Sequence, residues 1–306
     1  MGVAFRVVLY APDASVAERA AMAAFARIKE LNGVMSDYDP QSELSRLSQT
    51  AGQGVEVPLS ANLWTVLNRS QTLARRTRGA FDVTVGPFVN LWRKARRSRQ
   101  LPGPALLAEA RQSVGYQRLQ LSPKTRTARL LAPGMRMDLG GIAKGYAVDE
   151  ALRVLRNLGI DRALVAGDGD IGVGAPPPGK PGWRIAIATL DVPNAPTNRL
   201  VLLKHAAIST SGDLSQRLEI GGVRYSHIVD PRTGIGLTDH SLVTVIARDS
   251  TTADSLATAI SVLGPEKGMK LAQTTPGVAA RIVRSPDEKI EAHTSKRFEK
   301  YFAPED

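Results

Sequence analysis

The chain has no cysteine among its 306 residues. That absence excludes disulfide staples, thiolate nucleophiles and Cys-ligated zinc or iron–sulfur centres together. Aromatic residues make up only 5% of the chain, which leaves little material for stacking nucleic-acid bases, and no nucleic-acid-binding module is recognisable. The histidines His205, His240 and His293 show no metal-ligand spacing such as H-E-x-x-H. No apolar run approaches the length of a membrane span. The opening MGVAFRVVLY alternates like a strand and lacks the charged start, apolar run and cleavage site of a signal peptide. A soluble chain as given is therefore expected; a trimmed leader, an exported location and a cytoplasmic one all stay open. Internal repeats and low-complexity tracts are also absent.

Positive charge is abundant instead. Forty Lys and Arg stand against 29 Asp and Glu, a formal net charge of +11, which favours anionic partners such as nucleotides, nucleic acid or a membrane surface. Hydrophobic residues at 43% suffice for one large core or two modest ones.

After the opening strand, Ser15-x-x-Glu18 reads as a capping box for a helix ending near Asn32, with Phe25, Ile28 and Leu31 on its buried face. A second helix begins at Ser60, carries Leu63, Val66, Leu67 and Leu73, and ends before Gly79. The basic run Arg93 to Arg99 and Pro102-Gly103-Pro104 read as a surface connection. A hairpin is predicted over 116–137, a short strand at Ala163–Val165, and further strands near 183–188, 199–204, 218–221, 223–229, 241–247 and 278–284. A helical region covers 252–273. Grouped strands interrupted by a few helices indicate an α+β fold with mixed or antiparallel sheets.

Asp138-Leu-Gly-Gly-Ile-Ala-Lys144 places a carboxylate, a glycine pair and a lysine where a strand turns into a helix. Gly140 and Gly141 allow close backbone approach, the helix start offers unpaired amides, and Lys144 adds a full charge: the makings of a phosphate site, or of an ordinary tight turn. Val148, Ala151, Leu152, Leu155 and Leu158 recur at helical spacing behind it, and Gly159 stops the helix. Gly167-Asp-Gly-Asp-Ile-Gly172 matches the dinucleotide pattern G-x-G-x-x-G, but three consecutive prolines follow where a Rossmann turn must open a helix. A turn accounts for Asp168 and Asp170.

Asp254 and Thr258 stand four residues apart, hence on one helical face. As oxygen donors they suit a hard cation such as Mg²⁺ together with carbonyls, water and phosphate oxygens; alternatively, Asp254 closes a capping box with Thr251 and Thr258 bonds back to a carbonyl. His227 sits at a strand end before the turn Asp230-Pro-Arg-Thr-Gly234, where a neutral imidazole can take a proton from a hydroxyl or simply be structural. Met35-Ser-Asp-Tyr38 and Gly79-Ala80-Phe81-Asp82 can line a pocket for a planar ligand or end a helix and fill the core.

Read in order, MSDYDPQSELSRL, GAFDVTVGP with NLW, MDLGGIAKGYAVD, SHIVDPRTG and VTVIARDSTTADSLATAISVLGPEKG resemble the ApbE-type FAD:protein FMN transferases over nearly the whole chain. The resemblance implies a single ApbE-like domain over 1–306 with a two-lobed, T-fold-related architecture. It also implies cleavage of the FAD pyrophosphate, transfer of FMN through its phosphate to a Ser or Thr hydroxyl of an acceptor protein, and release of AMP. By the same resemblance, Mg²⁺ falls on the Asp254 and Thr258 side chains and the Gly141 and Ala257 carbonyls. FAD contacts fall on Met35, Ala80, Phe81, Asp82, Asp138, Lys144 and Ile228, and His227 activates the acceptor hydroxyl. Where the family commonly has Asn-x-Gly-Gly-Asp, this chain has Ala166-Gly-Asp168-Gly-Asp170. Many relatives are exported and lipid-anchored, so peripheral membrane association is a further expectation. Two alternatives stand beside the transferase: a Mg²⁺-dependent FAD pyrophosphatase that uses water, and a non-catalytic flavin-binding protein.

Overall fold

The computed structural model describes residues 2–192, 199–213, 217–286 and 289–304. In chain order the elements begin with β1 (Phe5–Leu9), α1 (Ala14–Met35), α2 (Glu43–Gln49), β2 (Val57–Pro58), α3 (Ala61–Arg76), α4 (Gly86–Ser98) and α5 (Pro104–Arg111). Next come β3 (Leu119–Ser122), β4 (Thr127–Leu130), α6 (Ala143–Asn157), β5 (Ala163–Gly167), β6 (Asp170–Val173), β7 (Trp183–Ala186), β8 (Leu200–Leu203) and β9 (Ala206–Gly212). The remainder are β10 (Arg217–Ile220), β11 (Val223–Ser226), β12 (Ser241–Ala247), α7 (Ser250–Gln273), β13 (Ala279–Arg284), β14 (Glu291–Thr294) and α8 (Lys296–Glu299). The α+β expectation holds: antiparallel sheets carry packed helices.

The chain forms two compact units, each assembled from separated stretches. The first unit comprises Met1–Glu30, Ile142–Gly212 and Ser241–Asp306. Its centre is a seven-stranded sheet of order β1-β5-β6-β9-β12-β13-β14, with every neighbouring pair antiparallel. Because successive side chains alternate between faces, β5 serves two cores. Ala163 and Val165 pack with Ala20, Ala24 and Ile28 of α1 and Val148, Ala151 and Leu155 of α6, whereas Leu164 packs with Trp183, Ile185, Val201 and Leu203 of the β7–β8 ribbon and with Phe298.

The second unit comprises Leu31–Gly141 and Asp213–His240. It holds the β2-β4-β3 sheet, the β10–β11 hairpin and α2 to α5. Phe88, Trp92 and Ala95 of α4 form a core with Leu218 and Val229.

Several sequence expectations are corrected. The cap of α1 is Asp13, whose carboxylate accepts the Val16 amide at 2.9 Å, and the helix continues to Met35. Its buried stripe is Ala20, Ala24, Ile28 and Leu31; Phe25, one residue off that stripe, is exposed. Arg93 to Ser98 are helical, in α4, with Arg99 as its left-handed cap at φ 56°. The central strand β9 was not expected, because Ala-Ala-Ile-Ser-Thr-Ser-Gly offers little branched or aromatic surface. The G-x-G-x-x-G segment is a hairpin: Gly167 pairs with Asp170 across β5 and β6, and Asp168 turns the chain at φ 59°. Rejection of a Rossmann site stands.

Candidate active site

In the first unit the starts of α6 and α7 cap one another. Asp254, on α7, accepts the Gly145 amide of α6 at 3.0 Å, and Asp149, on α6, accepts the Ser250 and Thr251 amides of α7 at 2.7 and 2.9 Å. Each carboxylate thus satisfies amides that a helix start leaves open and sits at a positive dipole end. The crossing depends on glycine, since a Cβ at Gly145 would lie 2.3 Å from the Ser250 carbonyl oxygen. The expected Thr251–Asp254 capping box is absent: Asp249 caps α7 by accepting Thr252 N–H at 2.9 Å, and the Thr251 hydroxyl donates to Asp149.

Lys144 stands on the first turn of α6, with Nζ 2.7 Å from the buried Asp170 carboxylate and 3.9 Å from the exposed Asp168. Burial opposes its charge, but Asp170, Asp254 and Asp168 outweigh that penalty and raise its pKa above the ordinary lysine value. Asp254 is the counterpart. Burial and the Asp170 charge push it well above the carboxylate range, against the pull of Lys144.

A group of this kind is costly to ionise alone and gains from a cation at its side. Among the described residues no three or more His, Asp or Glu side chains converge as a complete metal cage. Asp254 and the half-buried Thr258, one turn further along α7, are a partial oxygen set of the sort Mg²⁺ uses when phosphate and water complete its shell. Ala257 is fully buried, and its carbonyl accepts the Ser261 hydroxyl at 2.9 Å.

The second unit gathers Met35, Ala80, Phe81, Asp82, Asp138, Gly141, His227 and Ile228. Asp138 N–H donates to Val83 O at 2.8 Å, which binds the end of the strand-like 136–138 stretch to the Ala80–Asp82 segment. Asp138 also accepts the Gly140 amide at 2.8 Å. This corrects the picture of Gly140 as a phosphate donor, because its N–H is engaged in the turn. Burial and neighbouring Asp37 raise the Asp138 pKa, partly offset by Arg93 at 3.2 Å.

Met35, Ala80, Phe81 and Ile228 are buried. Asp82 is buried with one oxygen holding both Thr84 N–H at 2.8 Å and the Thr84 hydroxyl at 2.7 Å, so its first task is to fix this turn. His227 is exposed, immediately beyond β11. Its loop is anchored: Trp92 Nε1 donates to Gly234 O at 2.8 Å, and Gly234, at φ 76°, lies where a Cβ would strike Phe88 at 2.6 Å.

The profile of the ApbE family matches residues 1–282. The chain belongs to the ApbE family. It is 34% identical over 280 residues to the FAD:protein FMN transferase of Haemophilus influenzae, covering 89% of this chain and 80% of that protein. It is 37% identical over 265 residues to the enzyme of the same name from Vibrio cholerae, covering 85% and 78%. Among solved structures, the Pseudomonas stutzeri flavinyl transferase ApbE in its apo form superposes with a TM-score of 0.85 at 30% identity, over 97% of this chain and 93% of that one.

Against this ApbE fold, the residues expected from sequence divide by unit: Lys144, Asp254, Ala257 and Thr258 in the first, the others in the second. Three participants have partners that the sequence does not show. By sequence Asp170 belongs to a turn and Asp149 to the end of a motif, and their partners Lys144 and Thr251 are 26 and 102 residues distant. Arg93 lies in a basic run of the sequence, yet it pairs with Asp37 and Asp138 and lies 4.2 Å from the centre of the Tyr38 ring. The quoted motifs already contained Asp149 and Tyr38; only their partners were invisible.

Proposed function

We propose that this chain is a FAD:protein FMN transferase, which splits the FAD pyrophosphate and passes FMN to an acceptor protein. The observation that carries the reading is the ApbE match across residues 1–282 together with the paired helix starts at Lys144 and Asp254. Phosphoryl transfer asks a protein chiefly for alignment and for neutralisation of charge on the moving group. Lys144 supplies a fixed positive charge whose protonation is secured by its carboxylate neighbours.

Asp254 and Thr258 side chains, with the Gly141 and Ala257 carbonyls, would hold Mg²⁺. When bound, that ion would offset charge on the pyrophosphate oxygens and on the leaving AMP. Met35, Ala80, Phe81 and Ile228 supply apolar surface for the flavin, while Asp82 and Asp138 shape its polar edge. An acceptor Ser or Thr oxygen attacks the FMN phosphorus, its proton passes to the neutral His227 imidazole, and the phosphorus–oxygen bond to AMP breaks. An anionic membrane surface is a secondary partner in keeping with the +11 charge.

The test is incubation with FAD, Mg²⁺ and an acceptor carrying a flavinylation sequence. Covalent FMN on a Ser or Thr of the acceptor, found by intact mass and peptide mapping, is expected. Free FMN and AMP without a modified acceptor would instead assign water as the nucleophile, and bound but intact FAD would assign storage.

A further inference from the structure

Asp168 serves neither the caps nor the partial cation set, yet its carboxylate is the second ion-pair partner of Lys144, beside Asp170. The β5–β6 turn holds it there. Gly169 O accepts the Thr210 amide at 3.1 Å, a Cβ at Gly169 would meet the Thr210 carbonyl at 2.8 Å, and the Ser209 hydroxyl donates to Asp170. The turn residue adopts φ 59°, a conformation that suits Gly, Asn or Asp, so the acidic side chain is not demanded by the backbone.

Asp170 already balances Lys144 from the buried side at 2.7 Å. Asp168 reaches the same ammonium at 3.9 Å from the solvent side, with its own side chain 58% exposed and that of Lys144 24% exposed. An incoming pyrophosphate meets Lys144 from solvent and therefore meets the Asp168 charge with it.

We propose that Asp168 is an affinity-setting residue that acts through Lys144, competing with the pyrophosphate of FAD and with departing AMP for the ammonium and thereby weakening the hold on both. The inference rests on the proposed binding of FAD at Lys144. A looser grip on a phosphate product favours its release, a step that limits many enzymes.

Asp168→Asn tests it with little risk to the fold, since Asn adopts a φ of 59° as readily as Asp does. FAD affinity is measured by flavin fluorescence without turnover, in the presence of Mg²⁺, with riboflavin as the control that lacks phosphate. The variant is expected to bind FAD about two- to five-fold more tightly, the range of an exposed ion pair. Riboflavin affinity should stay unchanged, and the gain should shrink as salt is raised. In a Lys144→Met background the Asp168→Asn effect should vanish.

Equal FAD affinity of wild type and Asp168→Asn overturns the proposal. Weaker FAD binding with a higher Mg²⁺ requirement also overturns it and assigns Asp168 to the cation. Failure of the wild-type protein to bind FAD would strike the proposed function instead, a separate result.

Discussion

Lys144 and Asp254 face opposite electrostatic problems in the same few ångströms. The lysine is raised, so its charge is secure through the neutral range and would be lost only above the ordinary lysine pKa; the buried aspartate is raised too, so its charge needs support. Asp254→Asn keeps an oxygen for the Gly145 amide but removes the anion. Transfer is expected to fall by about 10²-fold or more while the fold survives. A Mg²⁺ titration of the rate checks it, and an unaltered metal dependence would remove Asp254 from the ligand set.

His227→Ala should slow acceptor modification by about 10²- to 10⁴-fold, the usual range for a general base, with FAD affinity unchanged. Stopped-flow transfer and equilibrium flavin binding separate the two effects. The sequence proposes His227 because it lies in a long motif. It does not propose Asp170, because what matters is its proximity to Lys144, which only the antiparallel placement of β6 and the packing of α6 create.

At the scale of elements, the α6–α7 contact concentrates the unit's helix-start chemistry. Gly145→Ala places a methyl against the Ser250 carbonyl and the Asp254 Cβ at 2.3 and 2.9 Å. A loss of about 1–3 kcal/mol in unfolding free energy is expected, along with most activity, because overpacking moves both caps. Chemical denaturation gives the first quantity and a transfer assay the second.

The other side of α6 is tied to α1 through Glu150, which accepts Arg153 Nη2 at 2.8 Å and Arg27 Nε at 3.0 Å. The Arg153 hydrogen bond lowers its pKa, with Arg27 adding to the effect and burial opposing it. A depressed carboxylate contributes stability above its unfolded pKa and loses it as pH falls through the folded one. Glu150→Gln should therefore cost about 1–2 kcal/mol at pH 7, a difference that closes below about pH 4; denaturation across pH reads it directly. Periodicity locates α3 and α6 because their apolar stripes are strong. It passes over α4, whose stripe of Phe88, Trp92 and Ala95 is interleaved with arginines, and β9, whose small residues gain their place from the strands on either side.

Across the whole molecule, the net charge of +11 outlasts every local pairing. Such a surplus steers an anionic dinucleotide by long-range attraction, so kcat/KM for FAD is expected to fall several-fold between about 50 and 500 mM salt. A salt series at fixed Mg²⁺ checks it, and a flat profile would show that local contacts alone govern capture.

The fold class was readable from grouped strands, whereas the assembly of each unit from separated stretches was not. Residues 213–240 carry His227 into the unit that holds Met35 and Asp138, and no local pattern near position 213 announces that return. Local spacing reports turns and faces; it is silent on which distant stretch closes a core.

The mutual capping of α6 and α7 has a kinetic consequence. Asp254 holds Gly145 through Oδ2 and Asp149 holds the start of α7, so both helix starts are shaped by protein groups before any ligand arrives. Under the proposed function, metal and dinucleotide would enter a template already set. Mixing the protein with the two in either order should lead to the same rate without a lag, as in a lock whose tumblers are aligned before the key is cut.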